Sequence, residues 1–374
     1  MKVIHIITGL ENGGAEGVLY RLVTQDTTNH HIVISLTDMG KYGNLLSSSK
    51  IKVYCINMKK RGMLLCLYSL YRIIKEIQPN VVQTWMYHAD LIGGIVARIA
   101  GVKKIYWNIR HSTIDSGHTR KSTVLIAKLN AYLSYIIPNK IICCAYSALE
   151  VHSNLGYKSN IMKVIPNGYD FSQFNIDQDY RNKFRQEIGV DSNVFLIGMV
   201  ARFNPQKDHK NLLEAFEAFS KDKVKGNIKL ILVGDGINQE NKVLVNLINK
   251  LDLVEDVILS GPRNDINRVM NGLDIHVLSS YAGEGFPNVV AEAMACGTPC
   301  IVTDVGDSKY IVGECGKVIN PKSPNELKES LEYFLMLRKN PEDWDILCKK
   351  NHYMTVVDYG IDSMVFNYTY LWES

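Results

Sequence analysis

The 374-residue chain has no apolar run long enough to cross a bilayer; the nearest candidates are broken by Lys, Arg or Asn. It opens MKVIHIITG, a strand followed by Gly, without the apolar core and small-residue cleavage site of a signal peptide, so no leader is expected. Its eight cysteines (55, 66, 143, 144, 296, 300, 315, 348) form no CxxC pair and mostly lie in apolar segments. That favours reduced, buried thiols of a cytoplasmic protein over disulfides or a zinc site. No GxGxxG follows a strand, which argues against an NAD-dependent dehydrogenase. A metal-dependent transferase would place an Asp-x-Asp between strands. The triplet Asp343-Trp344-Asp345 falls instead in a late, charged helical region and reads as surface helix, so no metal site is expected.

Acidic residues are scarce in the first half. Residues 1–170 carry 20 Lys and Arg against 9 Asp and Glu, a balance of +11; residues 171–374 carry 22 against 29, a balance of −7. The split is either chance over solvated faces or a sign that the first half meets something anionic. A hydrophobic fraction of 46% with 21% charge excludes a disordered or fibrous chain, and the length suits two to three domains.

What is present is strand–helix alternation, twice. Apolar strands are expected at 2–7, 31–36, 52–56, 81–85, 104–109 and 140–145, with helices near 63–77, 88–100 and 123–136 between them. That pattern predicts a parallel, doubly wound sheet over residues 1–170. Ligands of such sheets bind beyond the carboxyl ends of strands. Trp85 and His88 lie at one such end, Arg110 and His111 at the next. The polar run 112–122 is expected to be mobile, and the polar run 171–193 reads as a linker. The alternation restarts over 194–355: strands at 194–202, 229–236, 256–261, 274–280, 299–304 and 312–319, helices at 210–221, 239–251, 264–272 and from 325. The fold class is therefore α/β, with two doubly wound domains that are not sequence repeats of each other.

The densest chemistry lies in Glu284 to Gly297, EGFPNVVAEAMACG. Pro287 suits a first helical turn and Gly297 the position just past a helix end. Glu284 then sits in a loop and Glu292 about two turns into the helix that the loop opens. A helix start offers free N–H groups and a positive dipole end to phosphate; a carboxylate beside it suits hydroxyls. A ligand with both is a nucleotide sugar. Arg202 and Lys207 follow the first strand of the second domain. They are either scattered cations of a solvated loop or the positive charge that a departing diphosphate needs. The turn TGLENGGAEG holds Gly13-Gly14, which is either a plain strand-to-helix turn or a place where backbone approaches a ligand closely.

These motifs resemble the retaining glycosyltransferases of family four. The spacing Glu284 to Glu292 matches the family's E-x7-E. Around it stand Gly13-Gly14, the PNGYD hinge at 166–170, ARF-x3-K from Ala201 to Lys207, LVGDG at 232–236, SGPR at 260–263 and EGFPNVVAEAMACGTP. The closing YGIDSMVFNYTYLW is similar to the family's last helix, expected over 356–374 and crossing back to the first domain. The resemblance implies a GT-B fold, two Rossmann-like domains facing across a cleft, and a metal-independent transfer with no cofactor. It implies that Arg202 and Lys207 bind the donor diphosphate and that Glu284 holds the donor sugar. Phe286, Pro287, Asn288 and Val289 would line sugar and phosphate with backbone groups, Glu292 would hold the ribose, and Arg263 would lie near the base. The Gly13-Gly14 loop would close over the diphosphate, and His111 would contact the donor sugar.

The implied partners are a nucleotide-sugar donor (UDP in most of the family), a lipid-pyrophosphate-linked sugar acceptor of bacterial surface-polysaccharide or O-antigen synthesis, and an anionic membrane surface; nucleic acid is not expected. Arg110, Arg120 and Lys121 are the candidates for an acceptor phosphate. The basic, aromatic-rich stretches 58–75 and 119–135 are either ordinary surface helices or a membrane-facing side, placing the chain in the cytoplasm at the inner face of the cell membrane. Two other readings share the motifs: a nucleotide-sugar 2-epimerase, and a non-catalytic nucleotide-sugar-binding subunit.

Overall fold

A computed structural model describes residues 1–58, 62–111, 121–221 and 227–374. The chain divides into two compact units, Met1–Tyr169 with Tyr359–Ser374, and Asp170–Asp358. The first carries a seven-stranded, all-parallel sheet: β1 (Lys2–Ile7), β2 (His30–Ser35), β3 (Lys52–Cys55), β4 (Val81–Trp85), β5 (Lys104–Ile109), β6 (Lys140–Cys143) and β7 (Met162–Val164), in the order β3-β2-β1-β4-β5-β6-β7. The second carries β8 (Phe195–Val200), β9 (Ile228–Val233), β10 (Val257–Leu259), β11 (Ile275–Leu278), β12 (Cys300–Thr303) and β13 (Lys317–Ile319), again parallel, in the order β10-β9-β8-β11-β12-β13. Both orders reverse direction once, between β1 and β4 and between β8 and β11. Such a reversal opens a crevice at the carboxyl ends of the two strands.

Helices cover both faces, so central strands are buried on both sides and read as continuous apolar runs. The polar exception in β1, His5, is explained by its neighbours. Trp85 Nε1 donates to His5 Nδ1 at 3.2 Å, His5 Nε2 lies 3.0 Å from His31 Nδ1, and His31 Nε2 lies 3.1 Å from Asp26 Oδ2. Indole can only donate, which assigns every proton down the row: His5 carries hydrogen on Nε2, His31 on Nε2, and Asp26 accepts as a carboxylate. Burial and the neighbouring His31 hold His5 well below the ordinary histidine pKa. At Asp26 burial pushes upward, but hydrogen bonds from His31, Thr28 and Asn29 outweigh it and hold the carboxyl low.

A further proton on either ring would set two donors face to face. A lowered histidine pKa means that the unfolded chain binds the extra proton first, near pH 6.5, so the stability is present above that pH and lost below it. Denaturation of the first unit, followed by the fluorescence of Trp85, Trp107 and Trp372, should lose about 1.4 kcal/mol per pH unit below pH 6.5. A flat profile would rule the row out as a proton-sensitive element.

The last helix, Ile361–Glu373, belongs to the first unit. Trp372 Nε1 donates to Gln83 Oε1 at 3.2 Å, and Tyr106 Oη donates to the Leu371 carbonyl at 3.2 Å. At the chain's two passages between units, Tyr169 and Gly360 form a parallel bridge. Gly168 has no room for a side chain there, since an added Cβ would stand 2.9 Å from Ile361 Cα.

Two expectations are corrected, and two helices are added. The stretch 171–193, read as a linker, contains a helix at Gln178–Glu187, capped by Asp177, whose carboxylate accepts from Tyr180 N at 2.9 Å. It has almost no apolar stripe because it docks through one aromatic and two arginines, Arg181 and Arg185, that share Asp274. Phe184 packs on Gly272, and buried Arg185 reaches Asp274 at 2.7 Å. The strand expected over 312–319 is only Lys317–Ile319, because Gly313 at φ +47 ends a short helix, Ser308–Val312, inside it. Helices at Gly40–Ser48 and Tyr146–Asn154 carry too weak a pattern to be read. All eight cysteines are free thiols. Among the described residues no helix is long and apolar enough to cross a membrane. The expectation of a mobile run at 112–122 falls mostly outside the described residues.

Candidate active site

The second unit brings Lys207 and Glu284 together at the crevice between β8 and β11. After β8 the chain leaves the sheet through Arg202 and makes a short turn at Pro205–Lys207. Asn204 caps that turn, its Oδ1 accepting from Gln206 N at 2.9 Å. Asp208, in the left-handed region at φ +49, reverses the chain into the helix His209–Ser220. Ser279, just past β11, ties this turn down by hydrogen bonds at 3.0 Å to the carbonyls of Lys207 and Asp208.

The next residue, Ser280, donates to Glu284 Oε1 at 2.5 Å. Lys207 Nζ reaches the same oxygen at 2.5 Å, with the lysine and glutamate side chains 22% and 7% exposed. The backbone of Glu284 is walled as well. Gly306, at φ +60, lies so close that a Cβ would stand 2.4 Å from the Glu284 carbonyl, and Asp307 N donates to Gly285 O at 2.8 Å.

The helix beyond this loop is Asn288–Ala295. Pro287 stands at its N-cap and not within the first turn, one residue earlier than expected, and no side chain caps the helix. The backbone N–H groups of Asn288 and Val289 thus begin a bare helix start. Gly297 lies just past the helix end, as read. At φ +77 it closes a Schellman motif, with Thr298 N on Ala293 O and Gly297 N on Met294 O, both at 2.9 Å. Glu292 is half-buried, and burial raises its pKa. No hydrogen bond to its carboxylate occurs among the described residues. Arg202 is exposed and makes no ion pair among the described residues. Phe286 is half-buried in the loop.

Arg263 is held by neighbouring carboxylates in the free protein. Its guanidinium holds Asp265 at 2.8 and 2.7 Å and Glu187 at 2.6 Å, and it lies over the Phe184 ring. It is a structural tie between the helix Gln178–Glu187 and the loop after β10, and it is not grouped with Glu284. The triplet Asp343-Trp344-Asp345 sits on the helix Pro341–Tyr359 with both aspartates exposed, and Lys349 pairs with Asp345 at 2.6 Å.

In the first unit, Gly13 caps and Gly14 opens the helix Gly14–Gln25. Neither has a positive φ, so the chain conformation does not demand glycine here. Their effect is to leave the helix start uncovered, save for the flexible Glu16 side chain. His111, exposed past β5, stacks on Tyr87 with ring centroids 5.5 Å apart and planes 21° apart. Tyr87 Oη lies 2.6 Å from His152 Nε2, and His152 Nδ1 lies 2.6 Å from the Ala148 carbonyl. Burial holds His152 down at about 4, so its neutral ring donates to Ala148 and accepts from Tyr87. Although the residue as a whole is exposed, desolvation of its ring also lowers His111.

Arg110 is less available to an acceptor than expected. Its terminal nitrogens bond Asn167 Oδ1 at 2.5 Å and Tyr368 Oη at 2.6 Å, and the group lies over the Trp85 ring. Lys121 is exposed at the start of the helix Lys121–Leu133. Arg120 lies outside the described residues.

Sequence reasoning missed Ser279, Ser280, Tyr87 and His152. Ser280, four residues ahead of Glu284, was within reach of a closer reading; the others become visible only through contacts distant in the chain.

Two parallel, doubly wound Rossmann-like units are the architecture of the GT-B glycosyltransferases. The comparisons agree. The family model "Glycosyltransferase Family 4" matches residues 12–173 and "Glycosyl transferases group 1" matches residues 180–350. The chain belongs to the glycosyltransferases built from these two domains. It is 27% identical over 263 residues (70% of this chain and 67% of the relative) to an Escherichia coli UDP-Gal:alpha-D-GlcNAc-diphosphoundecaprenol alpha-1,3-galactosyltransferase. It is 25% identical over 277 residues (72% and 71%) to a Campylobacter jejuni N,N'-diacetylbacillosaminyl-diphospho-undecaprenol alpha-1,3-N-acetylgalactosaminyltransferase. The crystal structure of Anabaena HepE in complex with UDP has the same fold, with a TM-score of 0.74 at 21% identity over 99% of both chains.

Proposed function

We propose that the protein transfers a sugar, with retention, from a UDP-sugar to a lipid-diphosphate-linked glycan of bacterial surface-polysaccharide or O-antigen synthesis. The observation that carries this reading is the Lys207–Glu284–Ser280 cluster beside a bare helix start and an unpartnered Glu292 carboxylate. Arg202 and Lys207 take the diphosphate, helped by the N–H groups of Asn288 and Val289. Glu284 accepts from hydroxyls of the moving sugar and Glu292 from the ribose diol, since one carboxylate can accept two vicinal O–H groups. The bond from the anomeric carbon to the leaving phosphate oxygen breaks. The acceptor hydroxyl attacks from the same face, and its proton passes to that oxygen. Two cations and a helix start meet the developing diphosphate charge without calling for a metal. Glu284 is committed to binding, so no carboxylate is assigned as nucleophile.

The two relatives named for diphosphoundecaprenol substrates and the UDP-bound fold neighbour support donor and acceptor classes. The experiment is incubation with a panel of UDP-sugars and a polyprenyl-diphosphate-linked sugar, following acceptor-dependent UDP release and the product's anomeric configuration by NMR. Free epimer without acceptor, or an inverted product, would overturn the reading.

The first unit supports a peripheral location at the inner face of the membrane. Helices Met63–Ile77, Tyr87–Ile99 and Lys121–Leu133 lie side by side. They and the turn after them expose Leu64, Leu65, Tyr68, Leu125, Tyr132 and Ile136, with Leu64 82% and Tyr132 73% exposed. No Asp or Glu occurs between residues 39 and 75 or between 116 and 149, whereas Arg72, Lys75, Lys121 and Lys128 do. Each such cation gains about 1 kcal/mol beside anionic lipid. The protein should therefore sediment with phosphatidylglycerol vesicles at low salt and be released by high salt. Equal recovery from neutral and anionic vesicles would refute the electrostatic part.

A further inference from the structure

The two residues assigned to different parts of the donor hold each other in the free protein. Lys207 Nζ and Ser280 Oγ both stand 2.5 Å from Glu284 Oε1. The carboxylate has little freedom to withdraw. Ser280 pins it from its own loop, Gly306 backs its carbonyl at a distance no side chain could share, and Ser279 fixes the turn carrying Lys207. A diphosphate that reaches Lys207 must therefore draw the ammonium from a carboxylate that stays nearby.

Resting on the donor-site assignment above, we propose that Glu284 and the diphosphate compete for Lys207, so that the site favours the intact sugar nucleotide over the nucleoside diphosphate left after transfer. With the sugar nucleotide both charges are re-partnered: phosphate takes Lys207, and sugar hydroxyls take the carboxylate. With the nucleoside diphosphate alone, Lys207 is taken and nothing replaces it on Glu284 but the Ser280 hydroxyl. A largely buried carboxylate then faces a like-charged diphosphate, an arrangement that weakens association. Loss of the sugar thus lowers the affinity for the remaining product, and Glu284 recapturing Lys207 helps to expel it. The same residue that holds the moving sugar sets the preference for donor over product.

Titration calorimetry with UDP and with inorganic diphosphate tests this on the full chain, with circular dichroism and melting temperature confirming that each variant is folded. Glu284→Gln keeps the shape and removes the charge; it should bind both probes about tenfold more tightly than the wild type, equivalent to about 1.4 kcal/mol. Glu284→Ala should bind more tightly as well and serves if the glutamine variant folds poorly. Lys207→Gln should bind about tenfold more weakly. If Lys207→Gln loses affinity while both Glu284 variants bind as the wild type or worse, the competition is overturned and the donor site stands. If Lys207→Gln binds both probes as the wild type does, or the wild type and Glu284→Gln bind neither, the donor-site assignment fails and the proposal with it.

Discussion

Glu284→Ala is expected to abolish sugar transfer, by about a thousandfold or more in kcat, with no loss of nucleotide binding, which should tighten. The magnitude follows from where the carboxylate sits. It is 7% exposed, held by two donors, and lies at the carboxyl end of β11, where the reacting sugar would be oriented. In the proposed arrangement its contacts to sugar hydroxyls would be made within the transferring group, so losing them would misplace the anomeric carbon relative to the acceptor. Glu292 offers the contrast. It lies about one turn into the helix Asn288–Ala295 and faces the nucleoside in the proposed arrangement, so Glu292→Ala should act mainly on KM for the donor. Steady-state kinetics separates the two effects. If Glu284→Ala turned over normally, or if the two variants were indistinguishable, the division of labour between the glutamates would be wrong.

The second large effect concerns stability. Asp274, just before β11, has a side chain 1% exposed and receives Arg181 at 2.7 Å, Arg185 at 2.7 Å and Arg338 at 3.1 Å; Leu196 N donates to it at 2.8 Å. The three arginines come from the helix Gln178–Glu187 and from the end of the helix Pro324–Leu337, so one carboxylate joins two helices to the amino ends of the central strands β8 and β11. Arg181 and Arg338 border a cavity of about 350 Å³ shared with Trp344 and Cys348, and water can rehydrate them if the carboxylate is lost. Arg185 has no such outlet: burial, together with the neighbouring Arg181 and Arg338 charges, pulls its pKa down to about 10 even with Asp274 beside it. Asp274→Ala therefore strands a buried cation, which costs about 3–5 kcal/mol. For a unit of this size that lowers the melting temperature by roughly 6–20 °C. Calorimetry on the full chain should show the loss in the transition of the second unit. A shift under about 2 °C would mean that the cluster is hydrated enough to do without its anion.

Much of the fold was legible because parallel strands buried on both faces are short, uninterrupted and rich in β-branched residues. KIYWNI, VVQTW and KVIHII declare themselves on that ground. The helix Gln178–Glu187 was not legible, because it is held by Phe184 and a buried arginine and its other faces are polar. The bare helix start and the Gly297 stop were readable from local chemistry, as were the two glutamates. The fates of Arg110 and Arg263 were not. A guanidinium in a sequence is a free cation until the fold supplies Asn167 and Tyr368, or Glu187 and Asp265, to occupy it.

By itself the sequence determined the class of architecture, the order of the two alternating halves and the helix that opens after the Glu284 loop, because each depends on periodicity or on spacing within a few residues. Tertiary structure alone decided which charges are spent. It paired Lys207 with Glu284 across 77 positions. It ran a row of hydrogen bonds from Trp85 through His5 and His31 to Asp26, and gathered three arginines on Asp274. The physical reason is the same in each case. An ion pair or a buried hydrogen bond is set by distances of about 3 Å in space, and nothing in the local pattern records which remote segment will come that close.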